Sequence, residues 1–265
     1  MQRPTQRERV PRALHLAAWA YVAAVCFWQL GSTPLLETDE GFAANRAASF
    51  ARHHTWRLSY EDIDTTTPQF RKPPLLYWAV ATLYPVLGHN TWSVRLPVAG
   101  AALGACVLLY RLNRRHFDDW TALGAVMLLV SIPFVRVHIR TAMLELPLLA
   151  LVLLATYALA YPHHNRGSAL LAGAAAGAAI LLKGSAGMLA LIVAGLLTLL
   201  SGRGHRDAWR RVAMAVAVAA LVYGAYAFLV VPPAWQGPML ASMWLDEGTH
   251  RVATRSLAKD SSALP

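Results

Sequence analysis

Two acidic residues, Asp39-Glu40, stand a few positions beyond the first apolar run, and Lys72-Pro73-Pro74 closes the same polar stretch. A carboxylate just outside a membrane span can take a proton from a hydroxyl or hold a cationic group. A lysine at the interface meets lipid phosphate. Together they suit group transfer from a lipid phosphate. Each also has a plain structural reading: acids complement the start of a helix, prolines open one, and an interfacial lysine snorkels.

Two further ionisable residues interrupt apolar stretches, Glu145 at the head of 144–161 and Lys183 within 167–201. A charge at mid-membrane costs about 2.5–3.5 kcal/mol on insertion scales, so such residues are functional or paired. Arg140, five positions before Glu145, is the near partner that the sequence offers. The histidine pairs His53-His54 and His163-His164 lack ligand spacing, and HExxH is absent, so no protein-built metal site is read. A divalent metal arriving with a phosphate substrate stays open. Neither GxxxxGK[ST] nor GxGxxG occurs, so no nucleotide site is read.

These residues need a frame, and composition supplies it. The chain has 265 residues, 56% hydrophobic and 14% charged, with a mean hydropathy of +0.39. A soluble domain carries roughly 25% charged residues. The long apolar runs define an all-α, polytopic integral membrane protein. A net charge of +10 does not imply nucleic acid, because the arginines sit in short loops where topology accounts for them. Cys26 and Cys106 lie inside apolar runs and read as packing residues. The cationic residues 1–13 precede the run 14–31 without a small-residue cleavage site, so an uncleaved signal-anchor with a cytoplasmic N-terminus is expected.

Apolar segments occupy 14–31, 75–88, 96–112, 120–136, 143–161, 167–183, 185–201 and 211–231. If all cross, the most basic loops fall outside. If 75–88 does not, the loops 111–119, 162–167 and 201–211 become cytoplasmic with Arg111, Arg114, Arg115, Arg166, Arg203, Arg206, Arg210 and Arg211. The opposite turns then hold only Arg136, Arg140 and Lys183. The positive-inside rule favours this second arrangement. A 14-residue helix also reaches only about 21 Å and carries the interfacial aromatics Tyr77, Trp78 and Tyr84. The expectation is about seven transmembrane helices, with 75–88 lying along the outer surface and Lys183-Gly184-Ser185 turning between two short spans. Asp39, Glu40, Lys72, Arg95, Arg140, Glu145 and Lys183 then share the outer face.

The strings LLETDEGFAANRAASF, QFRKPPLLYWAVATLYPVLGHNTWSVRLPVAGA, IRTAMLELPL and AAILLKGSAGM resemble the GT-C membrane glycosyltransferases. The branch is that of bacterial lipid A aminoarabinose transferases and protein-mannosyltransferase-like enzymes. Five motifs in the same order over residues 35–188 carry the resemblance. It implies that Asp39 occupies the catalytic acid-base position with Glu40 as its partner, and that Lys72 and Lys183 hold the lipid-linked phosphate. Arg140 and Glu145 match the later motif's arginine and second acid. Arg71 stands where the aminoarabinose transferases usually have glutamate, adding a phosphate cation and removing a potential metal ligand. Glu145 replaces the more usual aspartate and is one methylene longer. The family's chains extend well beyond this length, which implies a truncated product, one half of a split enzyme with a complementing C-terminal half, or a short variant.

The expected organisation is a cytoplasmic N-terminus (1–13), a GT-C transmembrane module (14–231) with outer loop 32–95, and an outer C-terminal segment (232–265). The expected activity is inverting transfer of a sugar from a polyprenyl-phosphate donor to a lipid A-like or other envelope acceptor, at the periplasmic face of a bacterial inner membrane. The alternative is a non-catalytic polyprenyl-phosphate-binding or flippase-like subunit. A transporter is disfavoured, because no internal repeat is present.

Overall fold

The computed structural model describes residues 9–36, 39–53, 73–160, 166–200 and 205–231. Lys72, Arg71 and the segment after 231 lie outside the described residues. All regular structure there is helical: α1 (Arg12–Phe27), α2 (Asp39–His53), α3 (Leu75–Leu87), α4 (Thr91–His116), α5 (Asp119–Ser131), α6 (Pro133–Ile139), α7 (Glu145–Ala160), α8 (Arg166–Lys183), α9 (Leu189–Leu200) and α10 (His205–Ala225). The protein is an all-α, multi-pass membrane protein, and each segment expected to cross contains a helix.

By length and composition, Thr91–His116, Arg166–Leu200 and Arg206–Val230 are sufficient to cross a membrane, and α5 with α6 makes at most a fourth crossing. Helices α1, α3 and α7 are apolar but shorter. The expected span 120–136 is broken: α5 and α6 meet at 77°. Pro133 at the first position of α6 explains the break, since it disfavours helix at Ile132 and supplies no N–H to α5.

Taken as one helix, Arg166–Leu200 would run about 50 Å, but the chain folds back. Lys183 ends α8, Gly184 has φ +56°, and a 3-10 turn covers Gly184–Met188. A Cβ on Gly187 would overlap the backbone of Ala179 and Ile180, so only glycine fits the reversal. The turn expected at Lys183-Gly184-Ser185 is present.

Two large buried clusters organise the helices. One joins α1 to the start of α7 through residues such as Val22, Val80, Val98 and Val126. The other is built largely of alanine, from Ala155 in α7 through Ala172 and Ala176 in α8 and Ala194 in α9 to Ala215 in α10. In lipid the hydrophobic effect does little to bring helices together, so close approach and dispersion must do it. Gly173 and Gly177 form a GxxxG face on α8; a Cβ on Gly173 would press on Ala215 and Val218, and one on Gly177 on Val222.

Helix α3 is set by its ends. Gly88 (φ +76°) terminates it, and Asn90 with Ser93 forms a reciprocal cap that starts α4. Tyr84 Oη donates to the Ala44 carbonyl at 3.1 Å, tying α3 to α2. At the other end of α4, Asp119 accepts from Tyr110 Oη and the Val10 N–H and pairs with Arg114 at 3.1 Å.

Candidate functional site

Asp39 opens α2 and is exposed, while its neighbour Glu40 is completely buried. Glu40 meets Arg95 through two parallel contacts, Nε to Oε1 and Nη2 to Oε2, both 2.8 Å. The Leu36 N–H donates to Oε2 at 2.9 Å, and the Ala142 N–H to Oε1 at 2.7 Å. Arg95, itself 2% exposed, donates further to the carbonyls of Leu30, Thr33 and Pro34 and to Thr33 Oγ1. Burial alone would raise the Glu40 pKa. The Arg95 guanidinium and the two backbone donors outweigh it and hold the carboxyl below the usual carboxylate range.

This pair fixes three segments at once: the loop after α1, the start of α2, and residues 140–144 before α7. The sequence places Arg95 on the outer face but assigns it no role. A signal is there, in an arginine two residues ahead of Pro97 at the head of an apolar run, which demands a partner.

Arg140 does not pair with Glu145. Its Nη2 donates to the carbonyls of Trp28 and Gln29, at 2.8 and 3.1 Å, just beyond the end of α1. Glu145 instead meets Lys183 across 38 residues, Oε1 to Nζ at 2.8 Å. Both side chains are partly exposed, and Glu145 Oε2 has no hydrogen-bond partner among the described residues. Arg140, expected to bind substrate, therefore already holds the end of α1.

A cleft of about 340 Å³ is lined by Leu182, the residue before Lys183, and by Pro147, two residues after Glu145, and its lining is wholly apolar. Leu75 and Leu76 come from α3, Pro97 and Ala101 from α4, Pro147 and Leu151 from α7, and Leu182 from α8. Leu75 follows Lys72-Pro73-Pro74 directly in sequence. An apolar lining of this kind can take an alkyl or isoprenoid chain.

Beside Asp39, the Arg46 guanidinium lies over the Phe42 ring at 4.2 Å and the Tyr77 ring at 5.4 Å. Burial pushes the Tyr77 phenol up to about 12, with Arg46 lowering it and the Asp39 carboxylate raising it. Tyr77 is therefore neutral at any ordinary pH. Nothing in the sequence marks Arg46 or Tyr77 as a site residue. Among the described residues no cluster of three or more His, Cys, Asp or Glu is placed to hold a metal.

The described site thus combines a buried carboxylate–guanidinium pair, next in sequence to an exposed acid, with a partly exposed ion pair whose sequence neighbours Leu182 and Pro147 line an apolar cleft. The family described as dolichyl-phosphate-mannose-protein mannosyltransferase matches residues 71–235. The chain belongs to that family of membrane glycosyltransferases, of GT-C type. A putative mannosyltransferase, YycA of Bacillus subtilis (strain 168), is 26% identical over 137 residues, covering 52% of this chain and 19% of YycA. ArnT from Cupriavidus metallidurans bound to undecaprenyl phosphate superposes with a TM-score of 0.73 at 24% identity, covering 90% of this chain and 44% of ArnT. Its apo form gives 0.69 at 25%, covering 82% and 42%. The chain thus spans less than half the length of these relatives.

Proposed function

We propose that this chain is the donor-side module of a glycosyltransferase that moves a sugar from a polyprenyl phosphate to a lipid A-like or other envelope acceptor. The module would work at the periplasmic face of a bacterial inner membrane. The observation that carries the reading is the apolar cleft lined by Leu182 and Pro147, sequence neighbours of the Lys183–Glu145 pair, which suits an isoprenoid tail and a phosphate head. The solved relative with bound undecaprenyl phosphate supports that lipid class.

In the inverting reaction, the acceptor oxygen attacks the anomeric carbon while the bond from that carbon to the lipid phosphate oxygen breaks. The electron pair leaves with the phosphate. Lys183, at the turn after α8, with Lys72 and Arg71 from outer loop 32–95, would stabilise that charge. Asp39 takes the acceptor's proton if the acceptor is a hydroxyl. If the acceptor is an ionised phosphate, no base is needed and Asp39 orients an amino-sugar or a cation. Glu40 supports this role without touching substrate, since its oxygens are held by Arg95, Leu36 and Ala142.

The test is transfer of label from an undecaprenyl-phosphate sugar to the lipid A fraction, by the chain together with the C-terminal spans of a longer form or a complementing half. Transfer dependent on Asp39 upholds the reading. Lipid-phosphate binding without transfer, by the chain alone and by its longer or complemented forms alike, favours the non-catalytic binding subunit.

A further inference from the structure

The ion pair Glu145–Lys183 governs how an anion reaches the cleft, if the cleft is the lipid site proposed above. Lys183 is the cation nearest Leu182 in sequence, yet its ammonium is engaged by Glu145 at 2.8 Å. A phosphate arriving there meets a cation already neutralised and a carboxylate of its own sign. The pair is exposed enough to exchange: the Lys183 side chain is 28% and the Glu145 side chain 40% accessible. Lys183 can also stand without its carboxylate, because it ends α8 where the helix dipole favours a cation.

We infer that Glu145 is a displaceable internal anion that holds Lys183 in place of the lipid phosphate and gives it up when the phosphate binds. The released carboxylate then turns outward, bringing its Oε2, which is buried and without a hydrogen-bond partner among the described residues, to accept hydrogen bonds from hydroxyl or ammonium groups of the sugar. The site is thus specific for a ligand carrying both an anion for Lys183 and donors for Glu145, that is, a glycosylated lipid phosphate over a bare one.

The experiment measures binding of undecaprenyl phosphate and of undecaprenol to the full chain in nanodiscs of neutral lipid, for wild type, Glu145→Gln and Glu145→Asp. Wild type should prefer the phosphate. Glu145→Gln should bind the phosphate about two- to fivefold more tightly, the range expected for losing a partly exposed competing pair, with undecaprenol binding unchanged. Glu145→Asp should move the same way by less. A glycosylated undecaprenyl phosphate should lose affinity relative to the bare phosphate in Glu145→Gln. Unchanged or weaker phosphate binding in both variants overturns the exchange while leaving the lipid site standing. No preference for phosphate over alcohol in wild type removes both.

Discussion

Arg95 and Glu40, 55 residues apart, meet through two parallel 2.8 Å contacts inside the protein, and the residue next to that pair is the exposed Asp39. The acid on the surface is held by an ion pair beneath it.

Removing one partner of that pair strands the other. Glu40→Gln or Arg95→Met should destabilise the fold by about 3–5 kcal/mol, the usual cost of orphaning a buried charge. Arg95→Lys should be nearly as harmful, because an ammonium cannot reproduce the fork. Thermal unfolding in detergent, followed by tryptophan fluorescence, measures it; a loss below about 1 kcal/mol for all three would return the pair to the marginal role of a surface salt bridge.

The same carboxyl sets a pH limit. Its pKa is depressed in the folded state, so its contribution is complete above the unfolded value of about 4.3 and is lost as pH falls through the folded one. Stability of wild type relative to Glu40→Gln should be flat from about pH 5 to 8 and converge only in acid below about pH 4. Convergence near neutrality would contradict the hub.

Asp39→Asn separates chemistry from helix initiation, since asparagine starts helices about as well as aspartate. Sugar transfer by the complete enzyme should fall by about 10²–10⁴-fold with expression unchanged. Transfer near wild type would leave Asp39 as a helix-start residue.

Gly173 and Gly177 face Ala215, Val218 and Val222 across α8 and α10. Gly177→Leu should part the two helices at a cost of about 1–3 kcal/mol, as overpacked cores do. A control, Gly104→Leu, should cost less, because a Cβ there meets nothing. Equal losses in the pair would show that α8 and α10 do not rely on contact through glycine.

Topology is checked by labelling Asn113→Cys and Ser201→Cys. Both should react only from the cytoplasm, and the native Cys26 and Cys106 are buried and should stay silent. Periplasmic reaction at either position would make residues 75–88 a crossing.

Local signals are legible in the sequence. The terminator Gly88-His89-Asn90, the turn at Lys183-Gly184 and the acidic start of α2 each depend on a few adjacent residues with strong conformational preferences. The partners are not legible. Arg140 looks available to Glu145 because it is five residues away, but it follows α6 while Glu145 starts α7, and the chain between them turns. Lys183 meets Glu145 because α8 packs back along α7, so that the last residue of α8 returns to the first of α7. Arg95 has no visible partner in the sequence, because Glu40 reads as half of a surface pair. The GxxxG face is hidden inside an alanine run with no polarity to mark it. The break at Ile132-Pro133 is marked by its proline, yet the apolar run around it outweighs that signal.

The long reach of the Glu40 contacts also fixes when the site is made. As the chain leaves the ribosome, Glu40 emerges 55 residues before Arg95 and 102 before Ala142. At about 5–20 residues per second the last of these bonds waits for roughly 5–20 s. Arg140 reaches Trp28 and Gln29 over a similar interval. The outer acid is therefore finished late in synthesis, once α6 has been made, and a chain halted between α4 and α6 would hold Glu40 by Arg95 and Leu36 but lack the Ala142 N–H and the Arg140 tie to α1.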